Sequence, residues 1–575
     1  MEKLFRGPLP LLGILIIALI LRFVGIQWGL PNALHINTYH PDELDVVNWA
    51  LGMDSLNGKL LPGVYNYGSL QLYLINFSCT IAYLFNFVDL AHLWQGYVTA
   101  NWDKLYLIAR SLTVLMGTGT VWATAAIGTR LWNKRVGLIA ALLLAVAPLH
   151  VLQSHWATVD VPATLWGTLA VLGAVWSLEP GRRLKGCILS GVFAGLAAAT
   201  KYNMLLFILP MMAASLLSAW KGASYFRAPD AGAQDSKDAP AGNPWASASL
   251  AVAAGVASCI LAFLLACPGF LLQHPRFMAD LNMEALHVSR QPGETFEQTG
   301  NGFVYEWANT LQGALGLPVL LIVTGGILYA IWRRDRRSMI IGAAALPYAI
   351  LIGLAEVRYA RYAMPLLPLL LLWAALLITR ALSVAKKDTA VFAASWRGIK
   401  IYGLSRSFLG FSFLAFVYAV GYTLWLIVPM TETDPRDRAA QWLNAHTAPT
   451  TEVAFPTMPW FQTAPVCSYL PSHRGDWQRN PAWRAQCSNV LYTTDWDVDL
   501  LSEAKPGAVV VSGFDTMDAL RLGNPRAEAY LQALSDQYRI DFHAGEYFAP
   551  PGMCLDHLPY DMNYANPQIL VYIRR

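Results

Sequence analysis

Ser69-Leu70-Gln71-Leu72-Tyr73-Leu74-Ile75-Asn76-Phe77-Ser78-Cys79-Thr80-Ile81-Ala82-Tyr83-Leu84 opens an apolar stretch that runs to Leu90. Whether it crosses a membrane or lies along one sets the side of every later loop. The question arises because the 575-residue chain is 55% apolar and only 14% charged, where a soluble domain carries about 25% charged residues. A soluble fold would leave too much apolar surface in water, so the composition predicts a polytopic membrane protein. The net charge of +4 says little about partners. Basic residues sit in short clusters between apolar stretches rather than on one face, which excludes a nucleic-acid signature.

Eleven other stretches are apolar: 9–24, 105–131, 136–153, 161–178, 186–200, 204–220, 246–272, 311–332, 339–355, 364–382 and 408–430. Most approach the roughly 20 residues needed to cross hydrocarbon. The first follows Lys3 and Arg6 and has no small-residue cleavage site after it. It reads as a retained signal anchor with a cytoplasmic N-terminus. With eleven spans, the inside loops collect Arg130, Lys134 and Arg135; Arg182, Arg183 and Lys185; Lys221, Arg227 and Lys237; Arg333, Arg334, Arg336 and Arg337; and a cluster from Arg380 to Arg406. That is the positive-inside distribution. A twelfth crossing at 69–90 would invert it, so 69–90 reads as a juxtamembrane or re-entrant segment.

This topology predicts a transmembrane domain over 1–430, with a first outer loop at 29–104. Leu44, Val46, Val47, Ala50 and Leu51, interleaved with Asp45 and Asn48, predict a helix lying on the membrane surface. The stretch 221–244 reads as a flexible inside loop, and 274–309 as an outer loop holding Arg276, His287, Arg290 and Glu306. After Met430 the pattern changes. Asp434-Pro435 starts a helix. Short apolar runs follow at 452–456, 489–493, 508–513, 538–543 and 569–573, with a helix expected over 516–537. These predict a soluble α/β domain over 431–575, extracytoplasmic because the number of spans is odd. Cys467 and Cys487 can pair there if the compartment is oxidising. The domain carries no triad, phosphate loop or metal spacing, and reads as a lid or recognition domain.

Several polar groups then share the outer face. Tyr39-His40-Pro41-Asp42-Glu43 places two carboxylates at a membrane surface, which marks either a functional site or an ordinary helix start. Asp160, at the end of the turn 153–162, either caps the next helix or serves a site. Lys201 is the single basic residue at the tip of a helical hairpin, on the side that otherwise avoids them. Arg358-Tyr359-Ala360-Arg361-Tyr362 fills another outer turn, and its guanidiniums suit a phosphate. Arg110 stands where the second span begins. The spans are mostly clean in the middle, unlike a transporter with charges near the midplane.

The ordered set resembles the GT-C superfamily of polyprenyl-phosphate-sugar glycosyltransferases, nearest the branch of the protein O-mannosyltransferases and the lipid A aminoarabinose transferase. It rests on His40-Pro41-Asp42-Glu43, Tyr67-Gly68-Ser69-Leu70, Arg110-Ser111, Pro148-Leu149-His150 through Ser154-His155 to Asp160, Gly195 to Lys201-Tyr202-Asn203, and Arg361-Tyr362 with Pro365 and Pro368. It covers about residues 1–385. At Tyr67-Gly68-Ser69 the chain departs from relatives that often carry prolines. The resemblance implies a polytopic GT-C helical fold and an inverting transfer from an undecaprenyl- or dolichyl-phosphate sugar to a lipid, polysaccharide or protein acceptor. Asp42 or Glu43 would be the general base, and Asp160 would orient acceptor or sugar. Lys201 with Arg358 or Arg361, joined by Arg110, would stabilise the leaving phosphate. His40, His155, Tyr202 and Tyr362 are possible substrate contacts. The scheme requires no cofactor; a divalent metal is possible but not indicated, with His40, His155 and His287 as its candidates. A lipid or solute transporter, and a noncatalytic glycan-binding assembly protein, are the alternative readings.

Overall fold

The computed structural model describes residues 7–90, 101–222, 243–290, 293–385, 396–467, 485–546 and 559–575. Most of the loop expected at 221–244, and part of the basic cluster from Arg380 to Arg406, lie outside them.

Each apolar stretch forms helix, and the breaks fall at proline and glycine. The stretch 136–153 divides into Lys134–Ala145 and Pro148–Gln153, because Pro148 has no N–H to give and disfavours helix at Ala147. Pro268 likewise separates Pro244–Ala266 from Gly269–Leu272. Gly316, at φ +77°, turns the chain between Gly302–Leu315 and Leu317–Trp332, which meet at 118°. By length and composition, five of the described helices can cross a membrane, or six if that bent pair counts as one span.

The stretch 69–90 holds helix Leu70–Leu84. At 15 residues it is about 22 Å long, short of a hydrocarbon core of about 30 Å. It packs on helix Pro41–Leu51, where Asn76 donates to the carbonyls of Ala50 and Met53. Elsewhere the helices meet through small residues. A Cβ placed on Gly191 would lie 1.9 Å from the Gly255 carbonyl oxygen, so Arg183–Ala198 and Pro244–Ala266 touch backbone to backbone.

The C-terminal part builds a five-stranded sheet: β1 (Val453–Phe455), β2 (Val490–Tyr492), β3 (Ala508–Ser512), β4 (Tyr538–Ala544) and β5 (Ile569–Arg574). The order is β2-β1-β3-β5-β4. β1 is parallel to β2 and β3, and β5 is antiparallel to β3 and β4. Each of the five short apolar runs holds a strand. The helix expected over 516–537 is two, Gly513–Arg521 and Pro525–Gln537. Gly523 at φ +65° ends the first, and Asn524 with Pro525 starts the second. Cys467 and Cys487 are disulfide-bonded. The remaining described cysteines, Cys79, Cys187, Cys259 and Cys267, are buried and free.

A buried arginine joins sheet domain to bundle. Asp434 caps helix Pro435–His446 as expected, and its carboxylate also accepts from Arg436 at 2.6 and 2.7 Å. Arg436 lies 3.8 Å over the Tyr39 ring and donates to the carbonyls of Phe461 and Tyr564. Tyr39 in turn donates to Asp437.

Candidate functional site

Adjacent carboxylates at the start of helix Pro41–Leu51 take opposite environments. His40 caps this helix, its Nδ1 accepting from the Glu43 backbone N–H, and Pro41 fills the first turn. Glu43 is fully buried. It accepts from Arg110 at 2.6 and 2.7 Å, from Thr38 at 2.8 Å and from the Ala157 N–H at 2.9 Å. Arg110 spends its other donors on Thr38 and on the carbonyls of Ile26 and Trp28, so all five guanidinium N–H groups are committed. Asp42, one residue earlier, is 23% exposed and meets Arg361 Nη2 at 2.8 Å.

Asp160 is the first residue of helix Asp160–Trp176, and Val159 rather than the aspartate takes the cap position. Its carboxylate receives Lys201 Nζ at 2.7 Å and faces Arg361 Nε at 4.0 Å. Lys201 holds the extended link between helix Arg183–Ala198 and the turn Tyr202–Ile208, with its ammonium 4.3 Å over the Tyr362 ring. Backbone contacts fix this link. Gly68 N–H donates to Thr200 O, Leu70 N–H donates to Ala199 O, and Tyr202 Oη donates to the carbonyls of Tyr65 and Tyr67. A Cβ on Gly68 would lie 2.0 Å from Ala199 O. Glycine at this position admits the close approach.

Asp42, Asp160, Lys201 and Arg361 therefore converge from four segments. Arg358 points elsewhere, to Thr299 Oγ1 at 2.7 Å and Gly300 O at 2.9 Å. His155 bridges carbonyls of Val151 and Val24. His40 packs between Trp156 and Tyr564, and burial holds it well below the usual histidine pKa. Among the described residues, no three His, Cys, Asp or Glu side chains are grouped so as to hold a metal ion. Loss of surrounding water raises the Asp42 pKa above its ordinary value, against the pull of Arg361 and with a further push from Asp160.

Two acids here escaped the sequence reading. Glu284, on helix His274–Arg290, interacts with Lys201, Asp42 and Arg361, and burial raises its pKa. Asp561, from the sheet domain, is fully buried and lies 3.4 Å from Arg361 Nη1. The amphipathic pattern of 274–290 is a signal that could have suggested a helix laid over the site. Nothing local distinguishes Asp561 from other acids of the polar tail.

Residues 103–229 match the family of dolichyl-phosphate-mannose-protein mannosyltransferases. No curated protein matches the chain in sequence. Among solved structures, ArnT from Cupriavidus metallidurans bound to undecaprenyl phosphate is 14% identical with a TM-score of 0.51, covering 98% of each chain. Its apo form gives 14% and 0.49, covering 97% of each. The archaeal oligosaccharyltransferase AglB from Archaeoglobus fulgidus, in complex with an inhibitory peptide and a dolichol-phosphate, gives 12% and 0.48, covering 97% of this chain and 77% of that one. The chain shares the fold of ArnT, and the mannosyltransferase match lies within the stretch that carries the GT-C resemblance.

Proposed function

We propose, with the GT-C fold as premise, that the chain is an inverting glycosyltransferase moving a sugar from a polyprenyl phosphate to an acceptor at the outer face of a membrane. The observation that carries this reading is the meeting of Asp42, Asp160, Lys201 and Arg361 within ion-pair distances. The outer-face placement of that cluster and of the sheet domain is part of the proposal and rests on the eleven spans and cytoplasmic N-terminus read from the distribution of basic residues.

In this scheme an acceptor hydroxyl or amine attacks the anomeric carbon while its proton passes to Asp42. The bond from that carbon to the phosphate oxygen breaks on the opposite side, and the polyprenyl phosphate leaves. Charge grows on the phosphate as the bond lengthens, so Lys201 and Arg361, exchanging carboxylate partners for phosphate oxygens, lower the barrier. Asp160, released by Lys201, orients the sugar or acceptor. Asp42 is the better base of the acid pair. Its carboxylate is part exposed with a raised pKa, while Glu43 is sealed against Arg110. Arg110 and Glu43 are assigned to architecture. No cofactor enters these steps.

The test is transfer from an undecaprenyl-phosphate sugar by purified protein. Asp42→Asn is expected to lose transfer by about 10²–10⁴-fold, the usual worth of a general base, with insertion and melting unchanged. Wild-type rates in that variant would overturn the scheme. Flux of lipid across vesicles with the lipid-linked sugar left intact would point to a transporter instead.

A further inference from the structure

We infer that Asp561 of the sheet domain is a positioning residue for Arg361, so that the site is completed by the C-terminal domain. This rests on the proposed role of Arg361 at the leaving phosphate.

Residues 559–565 lie between β4 and β5 and reach into the bundle as a strap. Pro559 and Met562 press on Gly313, where an added Cβ would lie 2.8 Å from Pro559. Tyr560 packs against Tyr359, and Tyr564 meets the ring of His40 edge-on. Ala565 O accepts from Trp28 Nε1 at 3.1 Å. The strap thus touches the residue that carries Arg361 over its face, since the guanidinium lies 3.8 Å over the Tyr359 ring. It also touches the cap of the helix that carries Asp42.

Asp561 has two tasks at the centre of the strap. Its carboxylate accepts the backbone N–H groups of Ala360 and Arg361 at 2.8 and 3.0 Å, filling the donors left open where the turn Ala360–Leu366 begins. The same carboxylate faces Nη1 of the Arg361 guanidinium at 3.4 Å, while Asp42 takes Nη2. Arg361 is therefore held at both terminal nitrogens. Without the charge of Asp561, its attraction is to Asp42 and Asp160 alone. Asp42 already holds Nη2 at 2.8 Å, so the guanidinium, with Nη1 released, turns about that contact and leaves the orientation in which it meets the phosphate.

The two backbone N–H groups use different oxygens of Asp561, so asparagine removes the charge and keeps one of these bonds, whereas alanine removes the charge and both bonds. In full-length protein in detergent, Asp561→Asn is expected to melt between the wild type and Asp561→Ala and to lose about tenfold or more in kcat, the scale of cost for a misplaced catalytic group. KM for the undecaprenyl-phosphate sugar should change far less. Asp561→Ala should lose kcat and melt at lower temperature. Wild-type kcat in Asp561→Asn would reduce the residue to a cap and overturn the inference. Binding of undecaprenyl phosphate itself, followed by thermal shift, separates the layers. Wild-type protein that does not bind it sinks the proposed function and the inference together. Wild-type protein that binds it and loses transfer on Asp42→Asn, with Asp561→Asn at full rate, sinks the inference alone.

Discussion

At the scale of residues, Asp42 and Glu43 show what neighbouring carboxylates owe to their surroundings. The acid pair was visible in the sequence, but its division of labour was not. It depends on Arg110, 67 positions along the chain, and on which side of one helical turn each acid faces. Asp42 must be ionised to accept a proton, and its pKa is raised. Hence kcat/KM should fall on the acid side at a pH above the ordinary aspartate value of about 3.9. Arg361 favours the ionised form, so Arg361→Ala should move that limb to still higher pH, as a pH profile of residual activity would record. Glu43→Ala makes a contrasting prediction. It strands the buried Arg110 and should cost about 3–5 kcal/mol, seen as poor expression and a lowered melting temperature rather than a shifted pH profile.

At the scale of elements, hydropathy located the helices and the five strands, because burial imposes it locally. It did not place the breaks at Ala147-Pro148 or Gly523-Asn524-Pro525, where single residues override an otherwise continuous pattern. Nor did it show which glycines are contacts. Gly191→Leu should separate helices Arg183–Ala198 and Pro244–Ala266, since even a Cβ would clash with Gly255. Lower thermal stability in detergent is the expected readout. The Cys467–Cys487 bond closes 20 residues of chain, worth about 3 kcal/mol by loop entropy. Its reduction should loosen the sheet domain first, detectable as proteolysis there while the bundle stays intact.

At the scale of the whole molecule, the order of motifs made the GT-C architecture legible from sequence. Their convergence on Arg361 was legible only as an expectation of the resemblance. The reach of the sheet domain into that cluster was not, because it depends on contacts between residues 200 positions apart, such as Asp561 with Arg361. Arg436→Ala should loosen the two domains together. It removes the cation that ties Asp434, Phe461 and Tyr564 to the face of Tyr39. A fall in transfer alongside easier cleavage between bundle and sheet would check it.

Strand order adds a consequence in time. β5 comes last along the chain yet sits inside the sheet, between β3 and β4, and the Asp561 strap hangs directly before it. A ribosome must therefore pass residue 574 before the middle of the sheet can close and draw the strap into place. Under the proposed function, a frameshift anywhere after β4 should leave a chain that inserts but loses transfer, as an assay on isolated membranes would record.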